Sequence, residues 1–191
     1  MASNGTNTNS EFELRGFNHL ALVARDMAET VAWYEDILGM KLVKTLELPG
    51  GFGQHFFLDM GNGVDGIAFF YFPNAPEGVK GESIQNRFGV TAVGTMNHLA
   101  FDVDPAKFDE YREKLIDKGV EVTMVINHCD SLDGGHKADY DAATDAGDVF
   151  VRSMYFPDPN GVLLEFAAWT TTFDESDIRH APATAKVSID A

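Results

Sequence analysis

The sequence predicts an α+β fold built from two βαβββ modules that pair into an open, curved sheet around a metal-binding cleft. Three observations carry this expectation. The segment FNHLALVARD, residues 17–26, returns as MNHLAFDVDP, residues 96–105. Each copy is followed by a stretch of helical apolar spacing that stops at a glycine, Gly39 or Gly119. After each stop come apolar segments of strand character, separated by turn residues. A unit of this kind leaves one apolar face of a half-sheet uncovered, so a second unit must cover it.

The elements follow in order. Residues 1–13, polar and rich in Asn and Thr, are expected to be disordered. Module one spans 14–72. Phe17 to Ala24 reads as a strand, Asp26 as an N-cap, and Met27, Val31, Tyr34 and Leu38 as one helical face closed by Gly39. MKLVKTLEL, QHFFLDMG and IAFFYF read as three strands joined by the turns PGGFG and NGVDG. A Gly- and Pro-bearing connector covers 73–94. Module two spans 95–170: the strand MNHLAFDV, a helix opened by Asp104-Pro105 and closed by Gly119, then VEVTMVI, VFVRSMYF and GVLLEFAAW as strands. Between them, residues 129–148 are acidic and Gly-rich and are expected to form a mobile loop over the site. Arg152 is expected to pair with an acid of that loop, on the face opposite Tyr155. Residues 171–191 read as an extended tail suited to lie on a partner subunit.

Composition excludes several classes of function. The formal charge of -16, from 14 Lys and Arg against 30 Asp and Glu, repels phosphate backbones and anionic membranes, so neither nucleic acid nor membrane is an expected partner. The one cysteine, Cys129, forbids an internal disulfide. With no signal-peptide pattern and no apolar run long enough to span a bilayer, the expected location is the cytoplasm.

The repeated histidines require their own explanation, because a core strand favours Val or Ile where His19 and His98 stand. By pseudo-symmetry the two lie on equivalent strands and can converge. Glu165 sits in an otherwise apolar terminal strand, where an unpaired carboxylate costs several kcal/mol of desolvation. Two imidazoles and a carboxylate with open positions form the facial triad of non-heme Fe(II) sites, so His19, His98 and Glu165 are the expected metal ligands. The aromatic strands place His55, Phe70 and Tyr71 on one wall as substrate contacts; the competing reading is that this run fills the sheet core. His128, in the run His128-Cys129-Asp130 at the loop mouth, is a candidate for proton transfer or substrate contact.

The βαβββ repeat with its NHLA openings, together with WYEDILGM and YFPDPNGVLLEF, resembles the vicinal oxygen chelate superfamily, which includes glyoxalases, fosfomycin-resistance proteins, bleomycin-binding proteins and extradiol dioxygenases. The resemblance covers about residues 14–170 and implies one metal held from the first and last strands, at His19, His98 and Glu165. The pattern Met154-Tyr155, Asp158-Pro159, Gly161, Glu165 is similar to the extradiol signature, which implies that Tyr155 contacts the substrate oxygens. Two departures stand out. Aligning GIAFFYF with GVLLEFA by their glycines puts Phe70, or Tyr71 after a shift of one, opposite Glu165, so the second acid of the glyoxalase branch is missing. Gly147 and Asp148 stand where the extradiol signature has a histidine, and the family's acid-base histidine has no match, leaving His55, His128 and His136 as candidates.

The resemblance thus implies a metal-dependent dioxygenase, with Fe(II) first and Mn(II), Ni(II) or Zn(II) as alternatives, acting with O₂ on a small aromatic or enol-type substrate that chelates the metal through adjacent oxygens. A glyoxalase-like isomerase or lyase and a non-catalytic small-molecule binder are the alternatives. A homodimer is the expected assembly.

Overall fold

The computed structural model describes residues 11–12, 16–63, 65–76, 91, 93–130, 136–140, 149–177 and 181–182. The expectations for the N-terminus, the connector and the tail therefore fall largely outside the described residues.

Module one runs β1 (His19–Val23), α1 (Met27–Asp36), β2 (Lys41–Leu48), β3 (Gly53–Asp59) and β4 (Gly66–Tyr71). Module two runs β5 (Leu99–Asp102), α2 (Phe108–Asp117), β6 (Ile126–Asp130), β7 (His136–Tyr140), β8 (Val149–Pro157) and β9 (Leu163–Trp169). The expected caps are in place. Asp26 accepts a hydrogen bond from the Glu29 amide at 2.9 Å, and Asp104 accepts one from the Ala106 amide at 2.9 Å, opening a short 3₁₀ turn, Pro105–Lys107, that leads into α2. Gly39 and Gly119 close their helices in the left-handed region, at φ 71° and 78°, where a side chain would be strained. The turn into β3 is fixed more tightly still. A Cβ on Gly53 would lie 1.8 Å from the Tyr71 carbonyl oxygen.

The sheets order as β1-β4-β3-β2 and β5-β9-β8-β6-β7, with β1–β4 and β5–β9 parallel and the other pairings antiparallel. Two expectations are corrected here. Residues 121–125 are irregular, and the strand begins only at Ile126. The loop expected over 129–148 contains β7, paired antiparallel with β6 from Ile126↔Tyr140 to Asp130↔His136. An antiparallel edge strand satisfies its backbone through one neighbour and needs no continuous apolar run, so acidic composition did not reveal it.

Strand alternation assigns two faces to each module. Leu58, Ile67 and Phe69 of module one and Phe101, Met154, Phe156 and Leu164 of module two join one buried cluster with Tyr34 of α1 and Phe108 and Leu115 of α2. The modules therefore meet through their helix-bearing sides. A polar seam reinforces the contact: the Tyr34 hydroxyl donates to Asp158 Oδ2 at 3.1 Å, the Arg25 amide donates to Asn160 Oδ1 at 2.8 Å, and the Lys118 ammonium caps the Asp36 and Ile37 carbonyls of α1. The other face of each sheet, carrying the odd-numbered residues of β1 and the even-numbered residues of β5, points away from this core.

Candidate metal centre

In module two, β5 and β9 run parallel with Ala100 opposite Glu165, and β8 places Tyr155 opposite Glu165 from the other side. His98, just before β5, shares the face of Ala100. Its Nε2 lies 2.9 Å from Glu165 Oε2, and its ring meets that of Tyr155 edge-on with centroids 5.4 Å apart. Glu165 is 5% exposed, so this contact is made in a poorly solvated place. Burial and the neighbouring Glu165 carboxylate push the Tyr155 hydroxyl up to about 12, which keeps it a neutral donor across the physiological range.

The other nitrogen of His98 is also engaged. Nδ1 lies 2.6 Å from Asn97 Oδ1. A carboxamide oxygen can only accept, so Nδ1 carries the proton in this contact and Nε2 presents a lone pair unless the ring is doubly protonated. His19 repeats the arrangement in module one, with Nδ1 2.7 Å from Asn18 Oδ1. The Asn of each NHLA copy thus anchors the histidine that follows it. A carbonyl holding the distal ring nitrogen is the usual support of a metal-ligating histidine. The signal is present in the repeat itself, as Asn18-His19 and Asn97-His98.

The donors suit a divalent ion. Two ligand atoms bound side by side at roughly 2.1 Å from one metal, at a right angle, lie about 3 Å apart, the separation found between His98 and Glu165. Without a metal the same contact is satisfied by a proton on either group.

One chain does not gather all the expected ligands. His19 lies on the outer face of module one, its ring edge-on to Phe57 at 5.5 Å, and among the described residues no three His, Cys, Asp or Glu side chains form a metal-binding group. The expected convergence of His19 on His98 within a chain is corrected by the packing: the modules meet through their helix sides, so their ligand-bearing faces diverge.

The remaining expected residues divide. His55 and Phe70 share the outer face of module one with His19; the His55 ring stacks on Phe70 with centroids 3.7 Å apart and an interplanar angle of 13°. Tyr71 points the other way and packs on the shared core, which removes it from the substrate wall. His128 pairs with Val151 across β6 and β8, four residues from Tyr155, or roughly 13 Å along the strand. Its ring neighbours Phe150 at 6.2 Å, so it stands apart from the His98–Glu165 pair. Arg152 does lie opposite Tyr155, but its partner is Asp109 of α2, at 2.9 and 3.3 Å, with its guanidinium over the Phe108 ring. The position matching Glu165 is also corrected. Ala21 faces Ala68 as Ala100 faces Glu165, so the register counterpart is Ala68, two residues before Phe70.

The family model described as Glyoxalase/Bleomycin resistance protein/Dioxygenase superfamily matches residues 16–166, most of the chain and both modules. The chain belongs to this superfamily. Among curated superfamily relatives it is similar to the metallothiol transferase FosB of Lysinibacillus sphaericus, 26% identical over 157 residues, which cover 82% of this chain and 84% of that protein. It is also similar to MhqE of Bacillus subtilis, named as a ring-cleaving dioxygenase, at 26% identity over 110 residues; there the match covers 56% of this chain and only 33% of the relative. Among solved structures, the fosfomycin resistance protein FosX of Listeria monocytogenes, in complex with Mn(II) and sulfate, aligns over 82% of this chain and 94% of its own, with a TM-score of 0.51 and 19% identity. A glyoxalase family protein from Enterococcus faecalis aligns over 80% of this chain and 97% of its own, with a TM-score of 0.53 and 19% identity. These structural likenesses establish the fold. No described helix is long and apolar enough to cross a membrane.

Proposed function

We propose that the protein is a metal-dependent enzyme whose centre uses His98 and Glu165 of one copy and His19 of a second copy. The observation that carries this reading is the mirrored anchoring of the two histidines by Asn18 and Asn97, joined in module two by a carboxylate at 2.9 Å. β1 and β5 lie at the edges of their described sheets. Setting β1 of one copy beside β5 of another joins the two outer faces into one cup, and a two-fold axis makes two such cups. Phe17, Val93 and Met96, 86%, 105% and 42% exposed, flank the starts of these strands and supply apolar surface for a second copy to cover.

The substrate class we favour is a small aromatic or enol-type compound with two adjacent oxygens, in a dioxygenase reaction. A divalent cation, Fe(II) first and Mn(II), Ni(II) or Zn(II) as alternatives, supplies Lewis acidity and, as iron, electrons for O₂ chemistry. The protein's part is positional. Tyr155 donates its hydroxyl proton in a hydrogen bond to a substrate oxygen, and Phe57 and Phe70 exclude water from the ring. A second reading, group transfer or isomerisation without O₂, is supported by the similarity to FosB over most of both chains and by Gly147 and Asp148 standing where the extradiol pattern has a histidine. A binder without catalysis gives the His98–Glu165 contact no task.

The test is oxygen uptake by protein reconstituted anaerobically with Fe(II), then exposed to air and a catechol panel, beside elemental analysis and sedimentation. The expected result is one metal per chain, a dimer, and uptake with at least one catechol. Metal binding without uptake moves the assignment to the O₂-independent reading; a monomer that binds no metal ends both.

A further inference from the structure

The outer face of module one holds a second histidine whose setting differs from that of His19. His55 lies on β3 between Phe57 and Phe70, with ring centroids at 4.3 and 3.7 Å. Phe70 continues the stack to Phe72 at 5.4 Å and 9°. The Nε2 atom of His55 is shielded from solvent and has no hydrogen-bond partner, whereas Nδ1 is not shielded in that way. Unlike His19 and His98, its ring is not held by the preceding carboxamide: Gln54 donates instead to Glu47 at 2.7 Å, and Phe56, on the other side in sequence, packs on the core.

We infer that His55 selects the substrate as a neutral hydrogen-bond donor, protonated on Nδ1, which recognises an acceptor on the ring at a point away from the chelating oxygens. This rests on the placement of His19 in the catalytic cup, since the two histidines share one face. The physical basis is the unequal cost of orphaned groups. An N–H buried with no acceptor is rarer and costlier than an under-used lone pair, so the proton belongs on Nδ1 and the lone pair in the aromatic slot. A second proton would place a charged N–H in that slot, where no acceptor meets it. The stack on Phe70 fixes the ring plane, so the donor direction is set before a ligand arrives. A ligand that covers this donor without offering an acceptor takes it from water and leaves it unpaired, which is the source of the discrimination.

The probes are catechols carrying an aldehyde at ring position 3 or 4 and the corresponding ethylcatechols, which match in size but lack the acceptor. Full-length protein labelled with ¹⁵N and loaded with diamagnetic Zn(II) is titrated with each. Imidazole nitrogens are read by long-range ¹H–¹⁵N correlation, with His55 assigned through His55→Gln. The expected result is an Nδ1–H tautomer in the free protein, an aldehyde preference of about tenfold for one ring position, a shift of the His55 nitrogens on binding, and loss of that preference in His55→Phe, which keeps the stack. An Nε2–H tautomer, or a preference unchanged in His55→Phe, overturns this inference alone. Zn(II)-loaded protein that binds none of the catechols overturns the substrate class and this inference with it.

Discussion

The two modules begin alike and end differently. Both place an Asn-His pair at the start of the first strand, with the ring anchored through Nδ1 at 2.7 Å in one and 2.6 Å in the other. In module two the strand beside it carries Glu165, which reaches His98; in module one the same register position is Ala68, and the face is filled by Phe57, Phe70 and His55. The two modules thus share the histidine and its support, while the parallel neighbour strand carries a carboxylate in one half and part of an aromatic wall in the other. In the proposed centre, one half would supply charge for a cation and the other one more imidazole and a flat apolar surface for a ring.

The largest expected effect comes from erasing that difference. Glu165→Ala or His98→Ala is expected to lower metal affinity by more than about 100-fold, beyond the loss usual for a supporting residue, as measured by competition with a chelating dye; unchanged metal affinity would remove the centre from this place. Next come the anchors. Asn97→Ala and Asn18→Ala are each expected to cost roughly 10- to 100-fold in metal affinity while leaving the fold intact by circular dichroism. An effect confined to Asn97→Ala would show that His19 ligates nothing. Third, Ala68→Glu writes the module-two pattern onto module one. Because Ala68 is fully buried, the metal-free variant is expected to lose a few kcal/mol in urea unfolding, and metal is expected to restore most of it.

Smaller effects test the seam between the halves. Tyr34→Phe removes the donor to Asp158 and is expected to cost about 1–2 kcal/mol by urea unfolding. Burial raises the Asp158 carboxyl above the ordinary carboxylate range despite its hydrogen bonds to Val162, Asn160 and Tyr34. Its native form therefore holds a proton more tightly than the unfolded chain. Its contribution to stability thus grows as pH falls through the raised value and is complete below the unfolded one. Asp158→Asn should flatten that part of the pH profile, seen as a smaller gain, or a steeper loss, on acidification than in the parent protein.

How much of this could be read from the chain differs by element. The helices were legible because Asp26, Asp104, Gly39 and Gly119 act locally, through caps and left-handed stops that depend on a few neighbours. β7 was not, since an edge strand is chosen by its partner β6 and not by its own polar composition. Alternation separated Arg152 from Tyr155 correctly, yet it could not say that Asp109 pairs with the guanidinium, because that contact depends on how α2 crosses the sheet. Tyr71 was misplaced by adjacency: one residue along a strand reverses the face.

The repeat by itself determined that there are two like modules, that each carries a histidine at the same place, and that a lone carboxylate sits in the last strand, because duplication and period-two alternation are written in residue order. Only the tertiary structure decided which side of each sheet is inside. The helices and Phe69, Met154 and Phe156 form one core that holds the modules together, and that choice turns His19 away from His98 and Glu165 within a chain. Alternation fixes that a strand has two faces, but which of them is buried depends on the apolar area that the helices and the other module bring to it.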